Sequence, residues 1–180
     1  SKPYDRVTFA DLEQATGLSS GAILYHIKTK ENLFLNVVKK FIFEVNSISS
    51  MPKTPQSSLI LTLTHFIESC QKEKKEMAAS GIFNVNTAMM NITISAFFAL
   101  PKMREYAFNW LSQEKVVWMN ILEKAKELKE IRSDINVELF ASIFENVFLG
   151  SYLSGIVYTD GYKIEQLERE VMQIYQLIKA

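Results

Sequence analysis

The stretch VTFADLEQATGLSSGAILYHIKTKENLF, residues 7–34, has a hydroxyl residue before each of its apolar runs. Hydroxyl residues at such positions are preferred helix N-caps, because the side-chain oxygen accepts an otherwise unpaired backbone N–H. The candidate caps are Thr8, Ser19 or Ser20, and Thr29. Gly17 suits the sharp end of the first helix. The stretch therefore predicts two short helices, joined by a tight turn, and a third helix after them.

Two short helices with this connection have the form of a helix-turn-helix, in which the second helix lies in the major groove of DNA. Ser19, Ser20 and the amides beside them suit a phosphate at a helix N-terminus. Tyr25, His26 and Lys30 supply donors to the sugar-phosphate backbone. An ordinary helical hairpin fits the same spacing, so spacing alone leaves both interpretations open.

Long stretches of the chain have helical periodicity. Only 6 Gly and 4 Pro interrupt the 180 residues, and no alternating strand pattern persists. The expected fold class is all-α, with a helix-turn-helix head on a larger helical body. The stretch SSMPKTPQSS, 49–58, is the clearest linker and divides the chain into domains 1–48 and 49–180. The third helix is expected to span 30–48. Its apolar residues repeat every four positions at Leu33, Val37, Phe41 and Val45.

Residues 7–34 resemble the DNA-binding signature of the TetR family of bacterial transcriptional repressors. The matching residues are Thr8, Ala15, Gly17, Ser19, Gly21, Tyr25, His26, Lys28, Lys30, Glu31 and Leu33. The resemblance implies that 20–26 is the recognition helix of a dimeric regulator, which binds a palindromic double-stranded DNA operator and is released by a small effector. The candidate DNA-binding residues are Thr8, Ser19, Ser20, Gly21, Ala22, Tyr25, His26 and Lys30.

The chain departs from the family pattern at several positions, among them Leu24 and Ile27, where apolar residues replace the family's usual aromatics and should still pack. Ala22 stands where the family usually has a threonine, which removes a potential DNA contact. Family members carry a further helix before the motif, so we expect additional residues ahead of Ser1. Residues 1–47 hold six Lys and Arg against five Asp and Glu. These features favour an alternative, a TetR-like small-molecule or partner-binding protein without strong operator affinity.

Composition limits which other classes of protein the chain can belong to. The formal net charge is zero, so any polyanion binding must come from a local patch. The chain has a single cysteine, Cys70, so it cannot form an internal disulfide, and this fits a cytoplasmic setting. Cys70 lies on the apolar side of its helix and is expected to be a core residue. We see no signal peptide and no apolar run of about 20 residues, so no membrane association is expected.

The body is rich in aromatic residues and methionines at helical spacing. The simpler interpretation is that these residues form a hydrophobic core. The alternative, which the resemblance supports, is that they line a cavity for a small apolar or amphipathic effector. The candidate ligand-binding residues are Phe66, Met89, Met90, Phe97, Met103, Tyr106, Trp110, Trp118, Phe144, Phe148 and Tyr152. Residues 82–100 are apolar on every side and are expected to be enclosed. Glu114 is expected either to meet a cation or, at the edge of the stripe, to face solvent.

The last two helices indicate a homodimer that packs as a four-helix bundle. Small residues permit close approach on one helix, and the other has a heptad-like seam. The candidate interface residues are Gly150, Ser151, Ser154, Ile164, Leu167, Val171 and Ile174. Packing within one chain is the alternative explanation of the same pattern.

An enzyme is the weaker prediction. His26 and His65 are the chain's two histidines, and His65 and Cys70 are five residues apart, on different sides of a helix. We find no metal-ligand spacing and no glycine loop for phosphate. No catalytic residue, metal or cofactor is therefore expected.

Overall fold

The computed structural model describes residues 3–44, 48–50 and 58–180. Within these residues the chain is helical with no strand, which confirms the all-α prediction. The α-helices are α1 (Phe9–Thr16), α2 (Ser20–Ile27), α3 (Lys30–Val38), α4 (Leu59–Ala79), α5 (Val85–Ala99), α6 (Met103–Glu127), α7 (Val137–Ser154) and α8 (Ile164–Ile178). Shorter turns are the 3-10 turns Tyr4–Arg6, Ile48–Ser50 and Gly155–Val157 and the π-helical turn Lys39–Phe43.

The three helix starts of the head are capped as the sequence predicts. The side-chain oxygens of Thr8, Ser19 and Thr29 each accept the backbone N–H three residues further on. Thr8 also forms a reciprocal capping box with Asp11, whose carboxylate accepts the Thr8 N–H at 2.9 Å. Gly17 ends α1 with φ of 70°, a left-handed conformation that costs glycine little. Hydrogen bonds within four residues along the chain thus set where the helices of the head begin and where α1 ends.

The third helix is shorter than predicted, and its inner face is rotated by one residue. The α-helical pattern ends at Val38 and gives way to the π turn. Phe34 and Val38 are buried because they pack against the end of α5 and the start of α6, and Phe34 also stacks on Tyr4 with ring centroids 4.0 Å apart. Phe41, by contrast, is 37% exposed. The prediction of an unbroken apolar face over 30–48 is therefore wrong, and Val45 lies outside the described residues.

Head and body meet in a small cluster of their own. Phe34 and Val38 of α3 pack with Ala96, Leu100 and Met103, at the end of α5 and the start of α6. A groove of about 710 Å³ opens beside it, between the head and α5. None of the predicted ligand-binding residues borders this groove.

The main core lies among α4 to α8. Its largest fully buried side chains include Tyr162, Phe144 and Leu122. Cys70 is also fully buried, and burial raises the pKa of its thiol to about 12. A thiol with that pKa stays protonated at neutral pH, which supports the core assignment.

Two predictions about the outer helices are corrected. Ile164, Leu167 and Val171 of α8 are buried in the core of their own chain, so their side chains are not available to a second copy. Ile174 is partly buried against the same core. Residues 82–100 are not enclosed, since Phe98 is 90% exposed. In both cases periodicity identified apolar residues but not which neighbour covers them.

The segment Val137–Val157, α7 with the turn after it, has the length and apolar composition of a membrane-crossing helix. It is the one segment of the described chain that does, and the expectation that no run approaches this length is corrected. Its inner face is in the core, where Ala141 and Phe144 are buried. Only 17% of its apolar window is fully buried in the chain, and its large exposed apolar residues are Leu139, Leu153 and Val157.

Candidate DNA-binding and effector sites

The second helix of the head, α2, exposes polar and aromatic side chains on one face and buries a single residue on the other. Ile23 is buried, whereas Tyr25 is 82% exposed and His26 and Gly21 are exposed with it. The rings of Tyr25 and His26 stand edge to face, 5.3 Å apart. The helix therefore projects aromatic and imidazole groups away from the protein, as the sequence predicts for a recognition helix.

The N-terminus of α2 differs from the prediction. The Glu13 carboxylate of α1 accepts the Ser20 backbone N–H, and Ser19 Oγ accepts the Ala22 N–H at 3.2 Å. Both amides are therefore occupied within the chain, and the predicted phosphate site at Ser19 and Ser20 is corrected. Hydrogen bonding to Ser20 holds the pKa of Glu13 below its usual range. Sequence reasoning missed Glu13, which fixes α2 against α1, although an acidic side chain suits a helix N-terminus.

Two other predicted DNA-binding residues also have partners inside the chain. The Thr8 hydroxyl is engaged in its capping box with Asp11. The Lys30 ammonium lies 4.5 Å from the centre of the Tyr4 ring, at the start of α3. An ammonium over an aromatic face keeps its charge, so Lys30 still contributes a positive potential beside α2.

A cavity of about 300 Å³ lies where the π turn meets α5, α6 and α7. Six of the predicted ligand-binding residues border it: Met90, Phe97, Met103, Trp110, Phe148 and Tyr152. Further residues line it that sequence reasoning did not select: Phe41, Ile42, Phe43, Glu73, Thr93, Ala107, Leu111, Leu149 and Leu153. The cavity is thus mostly apolar, and part of its wall comes from the segment that continues α3.

Five of the predicted ligand-binding residues do not border this cavity. Met89, Phe144 and Trp118 are buried in the core, where the Trp118 and Phe144 rings stack 5.2 Å apart. The Phe66 ring packs edge-on against Trp118 at 6.1 Å. Tyr106 lies under the Lys39 ammonium, which is 5.2 Å from its ring centre. The core interpretation therefore holds for Met89 and Phe144, whereas Phe66 and Trp118 also border a smaller chamber beside this cavity.

Glu73 is the one acidic residue that borders the main cavity among the described residues. It is 7% exposed and lies near Tyr152, whose pKa is raised by burial and then by the negative charge of Glu73. No lysine, arginine or histidine is among the described residues of the cavity wall. Glu73 is therefore the one charged side chain among the described residues of this wall.

A smaller chamber of about 20 Å³ adjoins the main cavity and shares three wall residues with it, Trp110, Phe148 and Leu149. Glu114 and Glu145 both border this chamber. No described residue donates a hydrogen bond to Glu145 Oε1, although that atom is buried. Burial, and then the charge of Glu114, raise the pKa of Glu145.

Glu114 has a role that neither predicted alternative describes. It is 5% exposed, and its carboxylate accepts the backbone N–H groups of Ile48 and Ser49 at 2.8 and 3.3 Å. Four residues earlier in α6, the Trp110 indole donates to the Phe43 carbonyl at 2.9 Å. α6 therefore holds the chain on both sides of 45–47, just after the helix that leads from the head.

Glu130 plays the same part at the other side of the linker. Its carboxylate accepts the N–H groups of Leu59 and Ile60 at 2.6 and 2.9 Å, at the N-terminus of α4. A carboxylate is favoured at this position by the helix dipole as well as by the hydrogen bonds. Two glutamates, on and just after α6, thus anchor both ends of the predicted linker.

The outer face of α7 and of the turn after it carries two exposed residues of the predicted interface, Gly150 and Ser154, together with exposed apolar residues that sequence reasoning did not select. Leu139, Leu153 and Val157 are 53%, 58% and 80% exposed. Gly150 shares that face, and a methyl group added there would meet no atom within 4 Å. Ser154 is exposed, whereas the Ser151 hydroxyl donates to Glu170 of α8 at 3.3 Å and so faces its own chain.

These features define a class of all-α protein in which a helix-turn-helix head is joined to a helical body with an internal cavity. A TetR-family regulator from Agrobacterium tumefaciens shares the arrangement, with a TM-score of 0.68 and 18% identity over 98% of this chain and 89% of that one. A putative transcriptional regulator from Saccharomonospora viridis, solved with choline, has a TM-score of 0.67 and 13% identity over the same shares. The TetR-family regulator PfmR from Thermus thermophilus has a TM-score of 0.56 and 16% identity, over 96% and 88%.

The chain therefore has the fold of the TetR-family transcriptional regulators. No family model matches the sequence, and no curated protein sequence matches it.

Proposed function

We propose that the protein is a ligand-responsive transcriptional regulator that binds a palindromic operator as a homodimer and releases it on binding a small apolar or amphipathic effector. One observation carries the proposal. The π turn Lys39–Phe43 directly continues the helix that follows the recognition helix, and its residues Phe41, Ile42 and Phe43 form part of the cavity wall. A molecule in the cavity thus touches the same segment that positions the head.

Effector coupling follows from that contact. A ligand shifts an equilibrium between two head positions only by its difference in affinity for them, commonly about 1–3 kcal/mol. π-helical turns are rare and often stand at functional sites. The hydrogen bond from the Trp110 indole to the Phe43 carbonyl holds this turn against α6. An effector that displaces the Trp110 ring therefore changes the direction of α3.

Dimerisation through the outer face of α7 completes the operator-binding unit. An apolar helix face of this length, left uncovered in one copy, is typical of an interface. The small side chain at Gly150 permits close approach of a second helix. Two copies related by a two-fold axis would place their recognition helices in successive major grooves, about one turn apart or slightly more.

A second candidate is a TetR-like ligand-binding or partner-binding protein without strong operator affinity. The observation that favours it is the occupied N-terminus of α2, where Glu13 places a carboxylate at the Ser20 amide. A carboxylate there repels phosphate, and Ala22 adds no polar contact.

A gel shift with DNA that flanks the protein's own gene separates the two candidates. The regulator predicts a discrete complex that survives unlabelled non-specific DNA and is lost in the His26→Ala and Tyr25→Ala double variant. Tyr158→Ala, which removes an exposed tyrosine from the body, serves as the matched control. Equal binding to flanking and unrelated DNA would favour the second candidate.

A further inference from the structure

Resting on the proposed effector cavity, we infer that its ligand class is a protonated primary amine on an apolar body, with the ammonium group at Glu145 in the side chamber. The main cavity accounts for the apolar body. Its volume is about 300 Å³ and its wall is formed mostly by aromatic and aliphatic side chains. Ligand pockets of this kind select a guest by a few polar groups placed around an apolar surface.

The carboxylates around the two cavities set the sign of the guest's charge. Glu73 borders the main cavity, and Glu114 and Glu145 border the chamber behind Trp110. No described wall residue of either cavity carries a positive charge. Lys115, outside the chamber wall, also acts on Glu145 and lowers its pKa. The charged side chains that border the cavities directly are carboxylates, which favour a cation over an anion at short range.

The buried oxygen of Glu145 sets the kind of cation. A buried carboxylate oxygen without a donor costs free energy that a hydrogen bond recovers. Glu145 Oε1 has no donor among the described residues. A primary ammonium supplies three N–H groups, whereas a quaternary ammonium supplies none. The chamber, at about 20 Å³, has room for a group near the size of one water molecule and excludes a trimethylammonium head.

The aromatic rings beside the chamber favour the same group. Trp110, Trp118 and Phe148 border it together with the two glutamates. The faces of aromatic rings attract cations, most strongly when water is excluded. Trp110 and Phe148 border both cavities, so a guest with its apolar body in the main cavity and its ammonium group at Glu145 would contact both rings.

The position of the amine also links it to the head. Glu114 lies close enough to raise the pKa of Glu145 by its charge. The same Glu114 carboxylate holds the Ile48 and Ser49 amides. A cation between the two glutamates therefore draws on the carboxylate that anchors the segment leading from the head.

The test is direct binding to the DNA-free protein, so failure of operator binding leaves it interpretable. The probes are 4-phenylbutylamine, 4-phenyl-1-butanol and 4-phenylbutyltrimethylammonium, which share one apolar body. Calorimetry gives the dissociation constants at pH 7. Tryptophan fluorescence reports the site, because the chain's two tryptophans, Trp110 and Trp118, both border the chamber. The amine is expected to bind about ten- to a hundredfold more tightly than either partner probe, as a charge-assisted hydrogen bond implies.

The variant Glu145→Gln keeps the shape of the side chain and removes its charge. It is expected to weaken amine binding by about tenfold or more and to leave alcohol binding unchanged, which also verifies that the cavity is intact. Glu165→Gln, which neutralises an exposed glutamate of α8, is the matched control and should change neither. Equal affinity for amine and alcohol, tighter binding of the trimethylammonium probe, or an unaltered amine constant in Glu145→Gln would each overturn the inference.

Discussion

Head and body of this protein are held together by different interactions. In the head, α1 buries no residue and α2 buries only Ile23, and their geometry depends on side-chain caps and on the Glu13 bond to Ser20. In the body, side chains as large as Tyr162 and Phe144 are fully buried. Local hydrogen bonds contribute about 1 kcal/mol each, whereas burial of one large apolar side chain contributes about 1.5–3 kcal/mol.

The difference explains how one chain can serve two purposes. A head set by local bonds keeps its outward side chains, such as Tyr25 and His26, free to face DNA. A body set by long-range packing can enclose a cavity, because its rings are fixed by one another. The two meet through Phe34 and Val38 and through the π turn that lines the cavity.

The largest expected effect is loss of the body's fold. Leu167→Glu places a charge in the core position of α8 that is fully buried, and a destabilisation of about 3–5 kcal/mol or more is expected. Leu177→Glu on the same helix, at 60% exposure, should unfold near the wild-type urea midpoint. Urea titration followed by circular dichroism compares them. A wild-type midpoint for Leu167→Glu would contradict the description of α8 as a core helix.

The next effect is on assembly. Leu139→Glu with Val157→Glu puts two charges on the outer face of α7 without entering the core. We expect the dimer to dissociate roughly a thousandfold more readily, since hot-spot residues of an interface commonly contribute about 2 kcal/mol or more each. Sedimentation velocity at micromolar concentration measures it. Leu61→Glu with Leu128→Glu, both exposed elsewhere in the body, is the control and should stay dimeric. Wild-type protein that sediments as a monomer would contradict the proposal that a dimer binds two half-sites of an operator.

The third effect is on DNA binding and tests the head alone. Lys30→Ala and His26→Ala should each weaken all sequences alike by about 1 kcal/mol. Lys30→Ala should also lower the salt slope by about one unit, as loss of a charged phosphate contact does. Changes at Ser20 or Ala22 should instead alter the preference between sequences. Fluorescence anisotropy at several salt concentrations distinguishes the two kinds of change. Lys75→Ala, on an exposed part of α4, should leave the slope as it is.

The smallest effect concerns stability and pH. The pKa of Glu145 is raised from 4.5 by burial and by Glu114, with Lys115 opposing. Because the pKa of Glu145 is higher in the folded state, this side chain stabilises the fold below pH 4.5. That stabilisation is lost as the pH rises through the folded-state pKa of Glu145. Glu145→Gln should therefore flatten the fall in thermal midpoint as pH rises from about 4.5 to 7. If the thermal midpoint of Glu145→Gln falls as steeply as that of wild type, Glu145 does not titrate in this pH range.

Local signals predicted the head and the helix starts of the body well. Thr8, Ser19, Thr29 and Asn136 all cap as expected, because each interaction spans three residues of sequence. Helix periodicity also identified the apolar residues of α6 to α8. It did not decide which of them face a neighbour, a cavity or solvent.

That decision depends on how each helix is rotated against the others. Trp118 and Trp110 lie two turns apart on α6, yet Trp118 is in the core and Trp110 lines the cavity. The seam of α8 was assigned to a second copy, whereas α4 and α7 of the same chain cover it. Glu114 was expected to face a cation or solvent, but it binds amides 65 and 66 residues away in sequence. Contacts at such distances leave no periodic signal.

The central claim is that occupancy of the cavity changes operator affinity through the segment that continues α3. The most direct measurement is an operator titration with and without a saturating ligand found by thermal-shift screening, in wild type and in Ala107→Trp. Ala107 borders the cavity, and the larger ring fills part of its 300 Å³. Ligand should weaken operator binding by wild type about five- to 150-fold, and Ala107→Trp should bind the operator normally but lose the response. Unchanged operator affinity of wild type at saturating ligand would contradict the account.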